Sequence, residues 1–271
     1  MVRFYVAVFC IHLLACNTVK KIEMPVRAST LSGTDFYKKV VSMNWQQRDS
    51  VAVKEIFAGN MPSFLAKFER VKIEIKDSIS GKIINAYIFV SIDYLCIGTD
   101  EDWARVPLTP MSAQQIADRF HCFLPTKKIV DEIYKSATVK LSPIPMYAFR
   151  DSSITMWQHH LMIEGQRKTR KGLIAGVKKD IILTDRLEQN SKPNRVAIYG
   201  WHKLDGKPIQ PVYTGHVNWY VDYSHGVRLI YNKVLINNQW IHYEDVLNDK
   251  ALRKFLCDEV LCNCFRYSFK S

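Results

Sequence analysis

The sequence predicts an α+β protein, a single mixed domain of antiparallel hairpins with flanking helices. Apolar content of 48% with 12% aromatics indicates a packed core and not a disordered stalk. Residues 70–76 alternate strictly, with Val71, Ile73 and Ile75 on one face, and Ser80-Gly81 turns them into an apolar run over 83–92, as a hairpin requires. Helical and strand periods then follow one another without a regular strand–helix–strand rhythm, an internal repeat or a low-complexity segment.

The elements can be justified in order. Over residues 34–68 the period is helical: Phe36, Val40, Val41 and Trp45 recur at three- and four-residue steps, and Asp49-Ser50 precedes a second run through Val53, Ile56 and Phe57. Residues 93–98 read as a third short strand. Ser112 with Gln115 has the spacing of a capping box ahead of Ile116, Phe120 and Phe123. Pro125-Thr126 starts a helix with Ile129, Val130, Ile133 and Tyr134 on one stripe. Pro143 and Pro145 close a helix-rich first half that ends near residue 150. The second half reads as a helix over 152–166, a basic link over 167–171, strands at 181–183, 195–199, 217–221 and 227–231, and a closing helix over 243–256.

The N-terminus concerns destination. Met1-Val2-Arg3 is a basic start, and residues 4–15 form an apolar run interrupted only by His12, which together read as an export signal. Leu13-Leu14-Ala15-Cys16 resembles a bacterial lipobox, and that resemblance implies cleavage before Cys16 and lipid on its sulfur. The chain therefore divides into a signal over 1–15, a polar tether over 16–33 with Pro25, Ser29, Thr30 and Ser32, and one domain over 34–271. No later apolar run approaches the length of a membrane span, so the expected place is the cell envelope, tethered through lipid. A formal charge of +12 and a pI near 9.3 call for anionic partners. Export takes nucleic acid out of reach and leaves anionic cell-wall polymer or glycan. Beyond the signal and Cys16 stand Cys96, Cys122, Cys257, Cys262 and Cys264, an odd number. The 257–264 cluster lacks the usual zinc spacing and reads as a disulfide or as buried thiols.

Candidate chemistry gathers late in the chain. Of eight histidines, His202, His216, His225 and His242 fall between residues 202 and 242, among Trp201, Tyr220, Asp222 and Trp240. Titratable groups among aromatics suit a reactive cleft. Read as a strand, 214–222 places His216, Asn218, Tyr220 and Asp222 on one face and Val217, Trp219 and Val221 on the other, with Gly226 supplying a positive φ in the following turn. Asp222 would orient His225 or His202 as a base near neutral pH. The expected catalytic residues are thus Asp222, His225 and His202, and the expected substrate-binding residues Trp201, Tyr220, Asn218 and Arg228. Ser224 lacks the G-x-S-x-G setting of a nucleophilic serine.

His216, Asp222 and His225 resemble the His, Asp and His ligands of zinc D,D-peptidases that trim bacterial cell wall, and that resemblance implies zinc as a cofactor. In that family a Ser-x-x-His precedes the Asp by seven residues; here Thr214 lies two before His216 and Asp222 six after it. In a straight strand six residues span roughly 20 Å, against the ~4 Å that ligands of one zinc bridge, so a shared metal demands a bend between them. Other features read as ordinary surface. His159 and His160 would point about 100° apart on a helix, Asp100-Glu101-Asp102 is a charged turn, and Arg167 to Lys171 with Lys178-Lys179 is a solvated basic loop or the edge of an anionic-polymer groove. The combined expectation is a hydrolase of cell-wall or glycan material. Its rival is a non-catalytic glycan binder or envelope scaffold, in which Trp201, Trp219 and Trp240 stack on sugar rings.

Overall fold

Residues 21–76 and 81–268 are described by the computed structural model; the signal, Cys16 and the hairpin turn at Ser80 lie outside the described residues. From Lys21 onward, the segment read as a tether is bonded to the body. Ile22 N donates to Ala66 O, Ala28 N donates to Ala58 O, and the Arg27 guanidinium donates to Asn60 Oδ1 at 2.8 Å.

Local rules explain most of the elements. Helix α1 (Gly33–Val40) is capped by Ser32, and α2 (Trp45–Phe57) by a capping box of Asn44 and Gln47. Strands β1 (Phe68–Lys76) and β2 (Ile83–Ser91) pair antiparallel along their full length, as the alternation predicts. Next come β3 (Cys96–Gly98) and β4 (Trp103–Arg105), which pair with each other instead of extending the first hairpin. The acidic turn between them is structural: Asp102 Oδ1 accepts from Thr34 N at the start of α1. Helix α3 (Pro110–Arg119) starts earlier than the sequence reading, because Thr109 caps it and Pro110 fills its first position. After β5 (Cys122–Phe123), α4 (Lys127–Ser136) starts where Pro125-Thr126 predicts, with Thr126 as its cap. Strand β6 (Val139–Lys140) leads to α5 (Ser153–Arg167), capped by Ser152.

The second half runs through β7 (Ile174–Ala175), β8 (Lys179–Ile181), β9 (Ile198–His202) and β10 (Pro208–Tyr213). It continues with β11 (His225–Gly226), β12 (Ile230–Tyr231), β13 (Lys233–Ile236) and β14 (Gln239–His242), then α6 (Tyr243–Asn248) and a 3₁₀ turn at Arg253–Phe255. A six-stranded sheet has the order β14–β13–β2–β12–β5, with β1 on the other edge of β2. A four-stranded sheet has the order β10–β9–β8–β11, antiparallel except between β8 and β11. Helices pack around largely antiparallel sheets, so the fold is α+β. Ile73, Ile88, Ile116, Ile129, Val196 and Ile230 are fully buried within one core that joins both halves.

Three expectations need correction. Residues 217–221 do not form a strand; the chain turns there, with only a bridge from Arg195 to Val217. Gly226 lies in β11 and is not among the glycines of positive φ. It is needed for space, since a Cβ there would sit 2.5 Å from Tyr94 Cδ1 and 2.7 Å from Lys178 Cβ. The closing helix stops at Asn248. Cys257 and Cys262 form a disulfide, while Cys96, Cys122 and Cys264 are free. Among the described residues, no helix is long and apolar enough to cross a membrane.

Candidate acid–base site

Strand β8 sets the frame of the site. Lys179 faces Gly200 of β9 on one side and His225 of β11 on the other. The turn at Tyr223-Ser224, just before β11, folds Asp222 back over this edge. Asp222 Oδ1 then accepts from Ser224 N at 2.8 Å and from Ser224 Oγ, and His225 Nε2 lies 3.9 Å away. Oδ2 accepts from Arg150 Nη2 at 2.8 Å and, at the limit of bonding, from Tyr220 Oη at 3.5 Å.

Arg150 reaches this point because its loop is pinned from beneath. Tyr223 N donates to Arg150 O at 2.9 Å, and Met146 N donates to Tyr223 Oη at 2.7 Å. The turn through 217–221 brings in the roof. The His216 and Tyr220 rings pack 4.6 Å apart at a tilt of 38°, and lie 6.3 and 6.1 Å from that of His225. Asp222 and His225 are fully buried, whereas His216, Tyr220 and Arg150 are partly exposed at the rim. Below, the Lys178 ammonium donates to Tyr223 O and to His159 Nδ1 at 3.1 Å.

Burial sets the charges. Burial works against ionising Asp222, yet the His225 charge, the Ser224 hydroxyl and Lys179 hold its carboxyl well below the usual carboxylate range. Burial pulls His225 down to about 4, with Asp222 opposing and the lysines assisting. At neutral pH the imidazole is therefore neutral, and its contact with Asp222 is a long polar contact and not an ion pair. His216 and Lys179 are also lowered, chiefly by burial, and Lys178 falls to about 7 through burial and the Arg105 charge. Neither nitrogen of His225 has a hydrogen-bond partner among the described residues. Such an atom in a polar pocket is available to a ligand or a water.

The structure brings together Asp222, His225, His216 and Tyr220 and disperses the other expected site residues. His202 is not beside Asp222. Its Nε2 lies 3.1 Å from Asp131 Oδ1 of α4, and its ring stacks on Tyr134 at 4.5 Å. Arg228 is buried away from Asp222, donating to Ser91 O and Ile174 O at 2.7 Å each. Asn218 is buried in the turn, its N–H on Asn194 O. Trp201 is 5% exposed, Trp219 lines a cleft on the far side of Tyr220, and Trp240 packs on Phe89 in the other sheet. They form no common platform for sugar rings. The bend demanded by a shared zinc exists, but among the described residues no group of three or more His, Cys, Asp or Glu is placed to hold a metal. His216, Asp222 and His225 therefore do not fit as a zinc ligand set, since Asp222 is already saturated by donors. His159 and His160 are both buried in hydrogen-bonded surroundings.

Sequence reasoning missed Arg150, Lys178, Lys179 and His159. For the lysines a signal was present: apolar residues 173–177 and 181–183 flank them closely on both sides, which suits a buried strand better than a solvated loop. A cleft of about 660 Å³ adjoins the cluster through Tyr220 and is also lined by Trp45, Arg48, Asp151, Ser152 and Trp219. No family model, curated protein or solved structure matches the chain.

Proposed function

We propose that the protein is an exported, lipid-anchored hydrolase of the cell envelope, with His225 as general base. The observation that carries this reading is the buried, neutral and unbonded His225 imidazole beside the ionised Asp222, under a partly exposed rim. His225 takes a proton from the attacking water as that water adds to the substrate carbonyl, and the imidazolium returns it to the departing nitrogen or oxygen as the amide or ester bond breaks. Asp222 stabilises the imidazolium so formed, and Arg150 and Lys179 favour a substrate bearing negative charge. The only carboxylate within 4 Å of His225 among the described residues is Asp222. Cleavage by a pair of acid and base carboxylates is thus less suited to the site than hydrolysis of an amide or ester linkage in anionic cell-wall or glycan material.

Export is supported by the basic start, the apolar run and the lipobox-like Leu13–Cys16. The Cys257–Cys262 disulfide suits an oxidising compartment. We expect Cys16→Ala to abolish lipid labelling and to move the protein out of the membrane fraction; unchanged labelling and fractionation would refute the anchor. For the reaction, the full chain in detergent is incubated with purified cell-wall material, and newly released amino, carboxyl or hydroxyl ends are counted. His225→Asn is expected to slow release by about 10²–10⁴-fold, and undiminished release from that variant would remove His225 from the chemistry.

A further inference from the structure

Two donors at this site make no hydrogen bond among the described residues. The Trp201 indole Nε1–H is buried without an acceptor, and the Lys179 ammonium, in a residue 6% exposed, meets the face of the Trp201 ring but no carboxylate. The two are neighbours, for the ammonium lies 5.1 Å from the centre of the Trp201 ring. We propose that Lys179 and the Trp201 indole N–H hold an oxyanion of the substrate, a carboxylate or a phosphate, next to the His225 imidazole.

Neither nearby carboxylate pairs with Lys179. Both oxygens of Asp222 are taken by Ser224, Arg150 and Tyr220. Asp180, the next residue along β8, turns to the other side, where Tyr94 donates to it and Arg228 lies 3.9 Å away. A buried N–H without an acceptor weakens the fold by an amount of order 1 kcal/mol or more, and an oxyanion paired with Lys179 would satisfy it. The backbone adds a third sign. Trp201 has φ +56°, a left-handed conformation rare for so bulky a residue, and its N–H is fixed on Lys178 O at 3.0 Å. The strand thus holds the indole over Lys179 at the expense of local strain. An acidic group would reach the subsite past His216, Tyr220 and Arg150. As a substrate subsite this rests on His225 being the base, and it narrows the substrate to one whose scissile linkage lies close to an acidic group.

Anion binding can be tested without turnover. In the full chain in detergent, labelled with ¹⁵N at its six tryptophans, the Trp201 indole resonance is assigned by its loss in Trp201→Phe. Inorganic phosphate and, separately, acetate are added at constant ionic strength. The expected result is a saturable shift of that resonance, at least tenfold weaker in Lys179→Gln and recovered in Lys179→Arg. A response to phosphate identifies a phosphate group, and a response to acetate identifies a carboxylate. No shift with either anion, or an equal shift in Lys179→Gln, overturns the subsite. If Lys179→Gln does not fold, the rise in Tm with phosphate is compared in wild type and Trp201→Phe. A rise confined to wild type supports the proposal, and an equal rise overturns it. Anion binding in wild type together with full hydrolysis by His225→Asn would keep the subsite and dismiss the base.

Discussion

Two buried polar clusters, both built from arginine, carboxylate and histidine, have opposite bonding. Around Arg105, Nε and Nη2 donate to the two oxygens of Asp93 at 2.8 and 2.6 Å, and Nη1 donates to Glu164 at 2.8 Å. His160 Nδ1 lies 3.4 Å from Arg105, and Tyr94 N donates to Asp93 Oδ1 at 2.7 Å. Among the described residues, none of Arg105, Asp93, Glu164 or His160 keeps a buried polar side-chain atom without a partner. At the second cluster His225 keeps two such atoms, and Trp201 and His159 one each. The first cluster is closed, and it joins β4 to α5. The second is open, with buried donors and acceptors that a ligand or an internal water would satisfy.

The strongest way to break this contrast is to cut the closed cluster. Arg105→Met leaves Asp93 buried and unpaired, and we expect a stability loss of about 3–5 kcal/mol in urea unfolding. His225→Asn removes no side-chain hydrogen bond, so it should change stability by only about 1 kcal/mol while slowing turnover by about 10²–10⁴-fold. If the two variants unfold at the same urea concentration, the division into structural and functional clusters is wrong.

A smaller effect sharpens the contrast through pH. His225 is held at about 4, below the ordinary value of about 6.5. Above pH 6.5 the folded and unfolded states are both neutral at this residue, and it has no influence. Between pH 6.5 and 4 only the unfolded chain takes up the proton, so folding stability falls with falling pH, by about 3 kcal/mol in total. Asp222 acts in a different window. Its lowered pKa adds stability above the unfolded value of about 4 and withdraws it below. We expect wild type to lose more stability than His225→Asn between pH 6.5 and 4, read from Tm. Parallel curves would mean that the imidazole is not buried neutral.

The fold was more legible in the sequence than the site. The β1–β2 ladder could be read because its period of two and its turn agree, and α4 and α5 because Thr126 and Ser152 are local caps. The 214–222 segment misled for the same reason: its alternation imitates a strand, but hydrogen bonding to residues 194–195 folds it into a turn. That turn brings the His216 ring to 6.3 Å from that of His225, where a straight strand would have held His216 far from Asp222. Arg150 lies 72 residues from Asp222 and is delivered by a loop resting on Tyr223. No local period encodes such a contact. Lys179 was hidden by its charge, which suggests solvent when read without its apolar flanks.

His202 provides the finest test of the comparison, because sequence proximity and residue type both place it with Asp222 and the structure does not. It belongs to a third group in which its Nε2 lies 3.1 Å from Asp131 Oδ1, Tyr199 donates to the same oxygen at 2.7 Å, and Lys127 meets the other at 3.0 Å. That carboxylate is held to about 2: burial works against its ionisation, and the bonds from His202, Tyr199 and Lys127 outweigh it. Like the Arg105 cluster this group is internally bonded, so it should behave as structure. His202→Phe keeps the stack on Tyr134 and loses only the contact with Asp131. We expect a stability loss of about 1 kcal/mol and hydrolysis of cell-wall material within about twofold of wild type. A loss of hydrolysis beyond tenfold with the fold intact would return His202 to the machinery and show that bonding saturation does not separate structural from reactive histidines in this protein.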